Sequence, residues 1–179
     1  MTNEKHRTLI SAADFFNTTS RKLLVTENGL HAETLIVSVS RMAGSLMYRS
    51  FDLDKSISAG TTVLSEQANI YGPQLMNTLF ATLTELGHPI GEAELDKTFL
   101  SSKLSQLSFK ESIEKLSPFY LKYCEVASIS LQDGAFGAAI SAGLLVHDCR
   151  DVLSVEKGAA LAVYGFVEGT KTAPGRKDD

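Results

Sequence analysis

Residues 61–86 read TTVLSEQANIYGPQLMNTLFATLTEL, followed directly by Gly87-His88-Pro89. Val63, Leu64, Gln67, Ala68 and Tyr71 share one side of a helix, and Leu75, Met76, Leu79, Phe80, Leu83 and Leu86 continue the phase beyond Gly72-Pro73. One unbroken phase predicts one long helix kinked at Pro73, whose missing N–H leaves the Asn69 carbonyl without its helical partner. The same spacing also allows two helices, with Gly72 as cap and Pro73 at the first position. Thr61 or Thr62 is the candidate N-cap, Gly87 the left-handed C-terminal residue, and Pro89 the stop.

Outward from this segment, the helical period recurs on both sides. Residues 33–51 place Leu35, Ile36, Val39, Met42, Ala43, Leu46 and Met47 on a wide apolar stripe. Ser38, Arg41, Ser45 and Arg49 follow at three- and four-residue spacing on the other side, broken by Val37 and Tyr48, so this helix is expected to be central. Before it, Leu9, Ile10, Ala13 and Phe16 predict a short helix that Asn17-Thr18-Thr19-Ser20 interrupts, with Leu23-Leu24-Val25 undecided and a turn at Glu27-Asn28-Gly29. After it, residues 92–107 carry a weaker pattern, expected as a peripheral helix or two turns.

Ser108 and Glu111 have capping-box spacing and start the next helix, and Ser117-Pro118 reads as the cap and first residue of a further one. Asp133-Gly134 marks a turn before Phe136, Ala139, Ile140, Gly143, Leu144 and His147 at helical spacing. Gly137, Ala138, Ser141, Ala142 and Gly143 lower the helix propensity of that segment, by about 1 kcal/mol per Gly relative to Ala, so it needs close packing of backbones to compensate. Ser154 caps a last helix whose stripe is Val155, Ala159, Ala162, Val163 and Phe166, ended by Gly169.

The expected architecture is mostly α: a single-domain bundle of about six or seven helices with one proline-kinked long helix. It spans residues 9–169, between a flexible N-terminus at 1–8 and a flexible C-terminal tail at 170–179. An α+β alternative with one or two short strands rests on the alternation of 127–131 and the β-rich run Val163-Tyr164-Gly165-Phe166-Val167.

Composition bounds function by exclusion. The 179 residues are 44% hydrophobic and 21% charged with net charge −4, which is ordinary globular composition and offers no global attraction for a polyanion. No nucleic acid and no membrane partner is expected, since the least charged stretch, 126–147, contains Asp133 and several Gly and Ser. No signal-peptide pattern opens the chain, and with only Cys124 and Cys149 no disulfide framework is expected, so a cytoplasmic location follows.

Motifs that carry chemistry are sparse. His6, His31, His88 and His147 lack metal-ligand spacing, so no metal and no cofactor is expected. Nucleophile-elbow and phosphate-loop patterns do not occur, and two S-x-x-K matches, Ser112 to Lys115 and Ser154 to Lys157, fall at helix starts. The catalytic candidates are His147 and Asp151, four apart at a helix end, where a carboxylate orients an imidazole. The ligand-binding candidates are Arg41 and Arg49 on the central helix together with Glu66, Asn69 and Asn77 about the Pro73 bend. Phe119, Tyr120 and Tyr123 read as core aromatics rather than a stacking platform.

These readings make a noncatalytic protein-interaction module the expected function, with a protein partner or self-association as a homodimer. A small-molecule binding protein with its pocket at the Gly72-Pro73 kink is the alternative, and an enzyme using His147 the second.

Overall fold

The computed structural model describes residues 3–51, 53, 57–100 and 105–175. Among them are six α-helices and no strand: α1 (Asn3–Leu24), α2 (Ala32–Arg49), α3 (Glu66–Glu85), α4 (Phe109–Val126), α5 (Leu131–Asp148) and α6 (Val155–Lys171). The weak 92–107 pattern gives two short 3-10 turns, Glu92–Glu94 and Lys97–Leu100, while residues 101–104 lie outside the described residues. The mostly α bundle is thus observed, and 163–167, the β-rich run of the α+β alternative, sits inside α6.

Local signals account for several helix ends. Ser108 Oγ accepts from the Glu111 N–H while a Glu111 carboxylate oxygen accepts from the Ser108 N–H at 2.7 Å, closing the capping box of α4. Gly87, at φ 88°, ends α3 as expected: its N–H reaches the Thr84 carbonyl and the His88 N–H reaches the Leu83 carbonyl at 2.8 Å. This closure holds His88 directly over the last turn of α3.

Elsewhere the helices run through the expected breaks. Asn17-Thr18-Thr19-Ser20 lies inside the 22-residue α1, because Phe16 stacks on Tyr120 at 3.9 Å and the buried Ser20 hydroxyl bonds that of Tyr120 at 2.8 Å. Helix formers elsewhere are not needed when tertiary contacts reward the polar residues directly. Pro118 likewise sits within α4, on its exposed side, where the carbonyl that it leaves unpaired is open to water. Asp133-Gly134 belongs to the first turn of α5, with Ser130 as N-cap, rather than to a preceding turn.

Pro73 is inside the continuous α3, in agreement with the one-helix reading. A glycine just before it removes the Cβ that a helical residue in that position would press against the proline ring. The N-cap is Ser65, not Thr61 or Thr62. Residues 60–63 instead run antiparallel to 171–173, with Gly60 N–H to Ala173 O at 2.8 Å, Ala173 N–H to Thr61 O at 2.9 Å and Val63 N–H to Lys171 O at 2.7 Å. This pairing docks the chain through Ala173, which is buried, so the region after 169 is tied down at its start. At the other end α1 begins at Asn3, within the stretch assigned as a flexible N-terminus, and Lys5 pairs with Asp133.

Helix α2 is the axis of the bundle: every residue from Thr34 to Tyr48 is buried, polar side included. Helix α6 lies alongside it at backbone contact. A Cβ on Gly44 would come within 2.7 Å of Gly169 Cα and of the Phe166 carbonyl, and one on Gly165 within 2.6 Å of Ser40 Cβ. Two ion pairs, Arg21–Asp148 and Arg41–Glu168, each join residues 127 apart, linking the α1–α2 hairpin to the α5–α6 hairpin helix by helix. The small residues of α5 serve the same close approach, Gly137 meeting Ala12 of α1 and Gly143 meeting Thr82 of α3.

Candidate functional site

The polar side of α2 is the densest polar feature inside the bundle. Thr34, Ser38, Arg41 and Ser45 are all buried, and Arg49 is half-buried one turn beyond. At this spacing the five side chains form one stripe along the helix. Arg41, 5% exposed, is saturated: its Nε donates to Glu168 at 2.6 Å, and its Nη1 donates to the Leu107 carbonyl at 2.8 Å and to Ser112 Oγ at 3.0 Å. Ser38 shares a hydrogen bond with Ser112 at 3.1 Å, and Thr34 Oγ1 accepts from the Gln106 N–H at 2.8 Å. Segment 105–112 therefore covers the upper stripe and satisfies it.

The lower stripe differs. Ser45 Oγ and Arg49 Nε are buried without a hydrogen-bond partner, and the Arg49 guanidinium makes one long bond, Nη2 to the Pro174 carbonyl at 3.4 Å. Burial holds the Arg49 guanidinium below its ordinary pKa. The two arginines predicted as ligand-binding residues thus part company, Arg41 committed to Glu168 and Arg49 left without a carboxylate among the described residues. Glu66, Asn69 and Asn77, placed about the Pro73 bend, are exposed on the outside of α3, and no hydrogen bond joins their side chains.

His147 sits in the last turn of α5, partly buried, and its ring pairs with His88 rather than Asp151: His88 Nε2 and His147 Nδ1 are 2.9 Å apart, with ring centroids 5.1 Å apart. One ring nitrogen donates and the other accepts, since only one proton fits between them. Sequence spacing pointed to Asp151 because a single chain shows only its own i, i+4 neighbours. His88 arrives from α3, held by the Gly87 closure, and the signal for it was the position of both histidines at helix C-termini. Asp151 is exposed, and Asp148 is engaged by Arg21 at 2.6 Å.

The two cysteines are free thiols. Burial raises the Cys124 thiol to about 11 and also raises that of Cys149, so neither carries the lowered pKa of an activated nucleophile. Tyr120 and Tyr123 stack on Phe16 and Phe15, whereas Phe119 faces outward. Among the described residues no group of three His, Cys, Asp or Glu side chains could hold a metal ion, and no helix is long and apolar enough to cross a membrane. No known protein family, curated protein or solved structure matches this chain.

Proposed function

We propose that the chain is a noncatalytic helical interaction module that pairs with a second copy of itself through the outer side of α6. The single observation that carries this reading is the exposure of Tyr164 and Val167 on the outer side of α6, the helix whose C-terminal end enters the 60–63/171–173 pairing. Leu64 is 82% exposed next to that pairing, and Tyr164 and Val167, one helical turn apart on α6, are each 44% exposed. Tyr164 and Val167 are exposed together on one helix face, and large apolar side chains so presented are the usual material of an interface centre. Self-pairing is the commonest way to cover such a face, and a two-fold axis brings each copy's patch against the other's.

The inner side of α6 supports the same reading from a different direction. Gly165 and Gly169 seat it on α2 at backbone contact, so the presented face is held on a rigid element and association requires little ordering of the helix. The experiment is a solution mass determined by light scattering over a micromolar concentration series. Twice the 19.4 kDa chain mass is the expected result, and a monomer mass at every concentration removes the proposal.

A further inference from the structure

From the unsatisfied lower end of the α2 stripe, we infer that Arg49 and Ser45 form a binding site for a small oxyanion, a phosphate or carboxylate group. The fold provides for most of its other buried polar side chains. Ser20 pairs with Tyr120, Ser38 with Ser112, Ser40 with the Ile36 carbonyl and Thr170 with the Phe166 carbonyl. Arg41, two turns before Arg49, has a carboxylate, a carbonyl and a hydroxyl. Against this pattern the pair at 45 and 49 is an exception that calls for a missing partner, because nearly all buried polar atoms in proteins have one.

The chemistry of that partner follows from the donors. Arg49 offers Nε and the terminal amino groups in one plane, a fork that matches two oxygens of one phosphate or carboxylate. Ser45 is one helical turn away on the same face and adds a neutral donor that suits an anion. Both atoms left without partners, Ser45 Oγ and Arg49 Nε, are buried, so an anion bound there is partly withdrawn from water, where a charge-assisted bond is strongest. The Pro174 carbonyl, at 3.4 Å from Nη2, makes the one long bond that the guanidinium has, and Nε has none. Ser141 Oγ, also buried without a hydrogen-bond partner, lies on α5 with no arginine or lysine within four residues of it in sequence.

This inference stands apart from self-pairing, since it concerns the α2 stripe and is read by a different signal. The test titrates sodium phosphate, and separately sodium acetate, into the full chain at constant ionic strength while following the Arg49 Nε–Hε resonance by NMR. Saturable movement of that resonance is expected. Movement with phosphate alone assigns a phosphoryl ligand, and movement with both assigns a general oxyanion site. Thermal-shift measurements then compare variants: Arg49→Gln is expected to weaken the response about tenfold or more, Arg49→Lys less, and Ser45→Ala to weaken it severalfold. No movement of the Arg49 resonance with either anion, or an equal thermal response in Arg49→Gln and the original chain, overturns the assignment.

Discussion

At residue 41 a guanidinium that looks solvated in sequence is enclosed by protein. Its spacing with Ser38, Ser45 and Arg49 was legible as a polar stripe, yet a stripe at helical period is the ordinary mark of a water-facing side. Which side water owns depends on what covers it, and here segment 105–112 and Glu168 do so from sites distant in sequence. A buried charge left alone costs more than a buried pair. Glu168→Ala is therefore expected to lower stability by about 3 kcal/mol in urea unfolding, and the double change Arg41→Met, Glu168→Leu by less than that single change. A double variant weaker than Glu168→Ala argues against the pair as drawn.

Thiol chemistry belongs to the same scale. Cys124 is buried with its pKa raised to about 11, whereas Cys149 is partly exposed. In the native protein a thiol reagent at pH 8 is expected to modify Cys149 slowly and Cys124 only after unfolding. Prompt reaction of both cysteines in native protein contradicts the packing of α4 against Gly134 of α5, where a Cβ would meet the Cys124 sulfur at 2.6 Å.

At the scale of helices, the capping signals were readable and the interruptions were not. Ser108 with Glu111, and Gly87 after α3, act through atoms within a few residues, so local sequence contains them. The run through Asn17-Thr18-Thr19-Ser20 depends on Tyr120, a hundred residues away, and no local rule could find it. The close α2–α6 crossing was not legible: the small residues that signalled close approach lie in α5, while Gly165 and Gly169 were read as a possible strand feature and a helix stop. Gly165→Ala is expected to cost about 2 to 3 kcal/mol, since its Cβ would press on Ser40 and, at 2.9 Å, on the Val37 carbonyl. A neutral effect in thermal or urea unfolding opposes the crossing described here.

The N-terminus of α5 gives a pH prediction. Burial pushes the Asp133 carboxyl upward, but bonds from Lys5 and Ser130 outweigh it and hold the carboxyl below its ordinary value. The folded state thus binds this proton less readily than the unfolded chain. Its contribution is present in full above the unfolded carboxyl pKa of about 3.9 and fades as pH falls below that toward the folded value. Asp133→Asn is expected to destabilise at neutral pH and to flatten the acid side of the stability curve. With Lys5 about half exposed, the effect is modest.

Across the whole molecule, the arrangement sets an internal polar stripe on one side of α2 and an external apolar face on the far side of α6. The bundle class was legible because helical periods cover most of the chain. The proposed pairing face was not, because Tyr164 and Val167 read only as part of a β-rich run until α6 is oriented by Gly165 and Gly169, and Leu64 looks like part of the α3 stripe until Ser65 is seen to cap that helix. The His88–His147 pair was hidden for the same reason, as two helix ends that only the fold brings together.

The most direct test of the account compares the solution mass of the original chain with that of the Leu64→Asp, Val167→Asp double variant, after circular dichroism shows both to be equally helical. A dimer is expected for the first and a monomer for the second. A monomeric original chain, or a variant that remains dimeric, contradicts it.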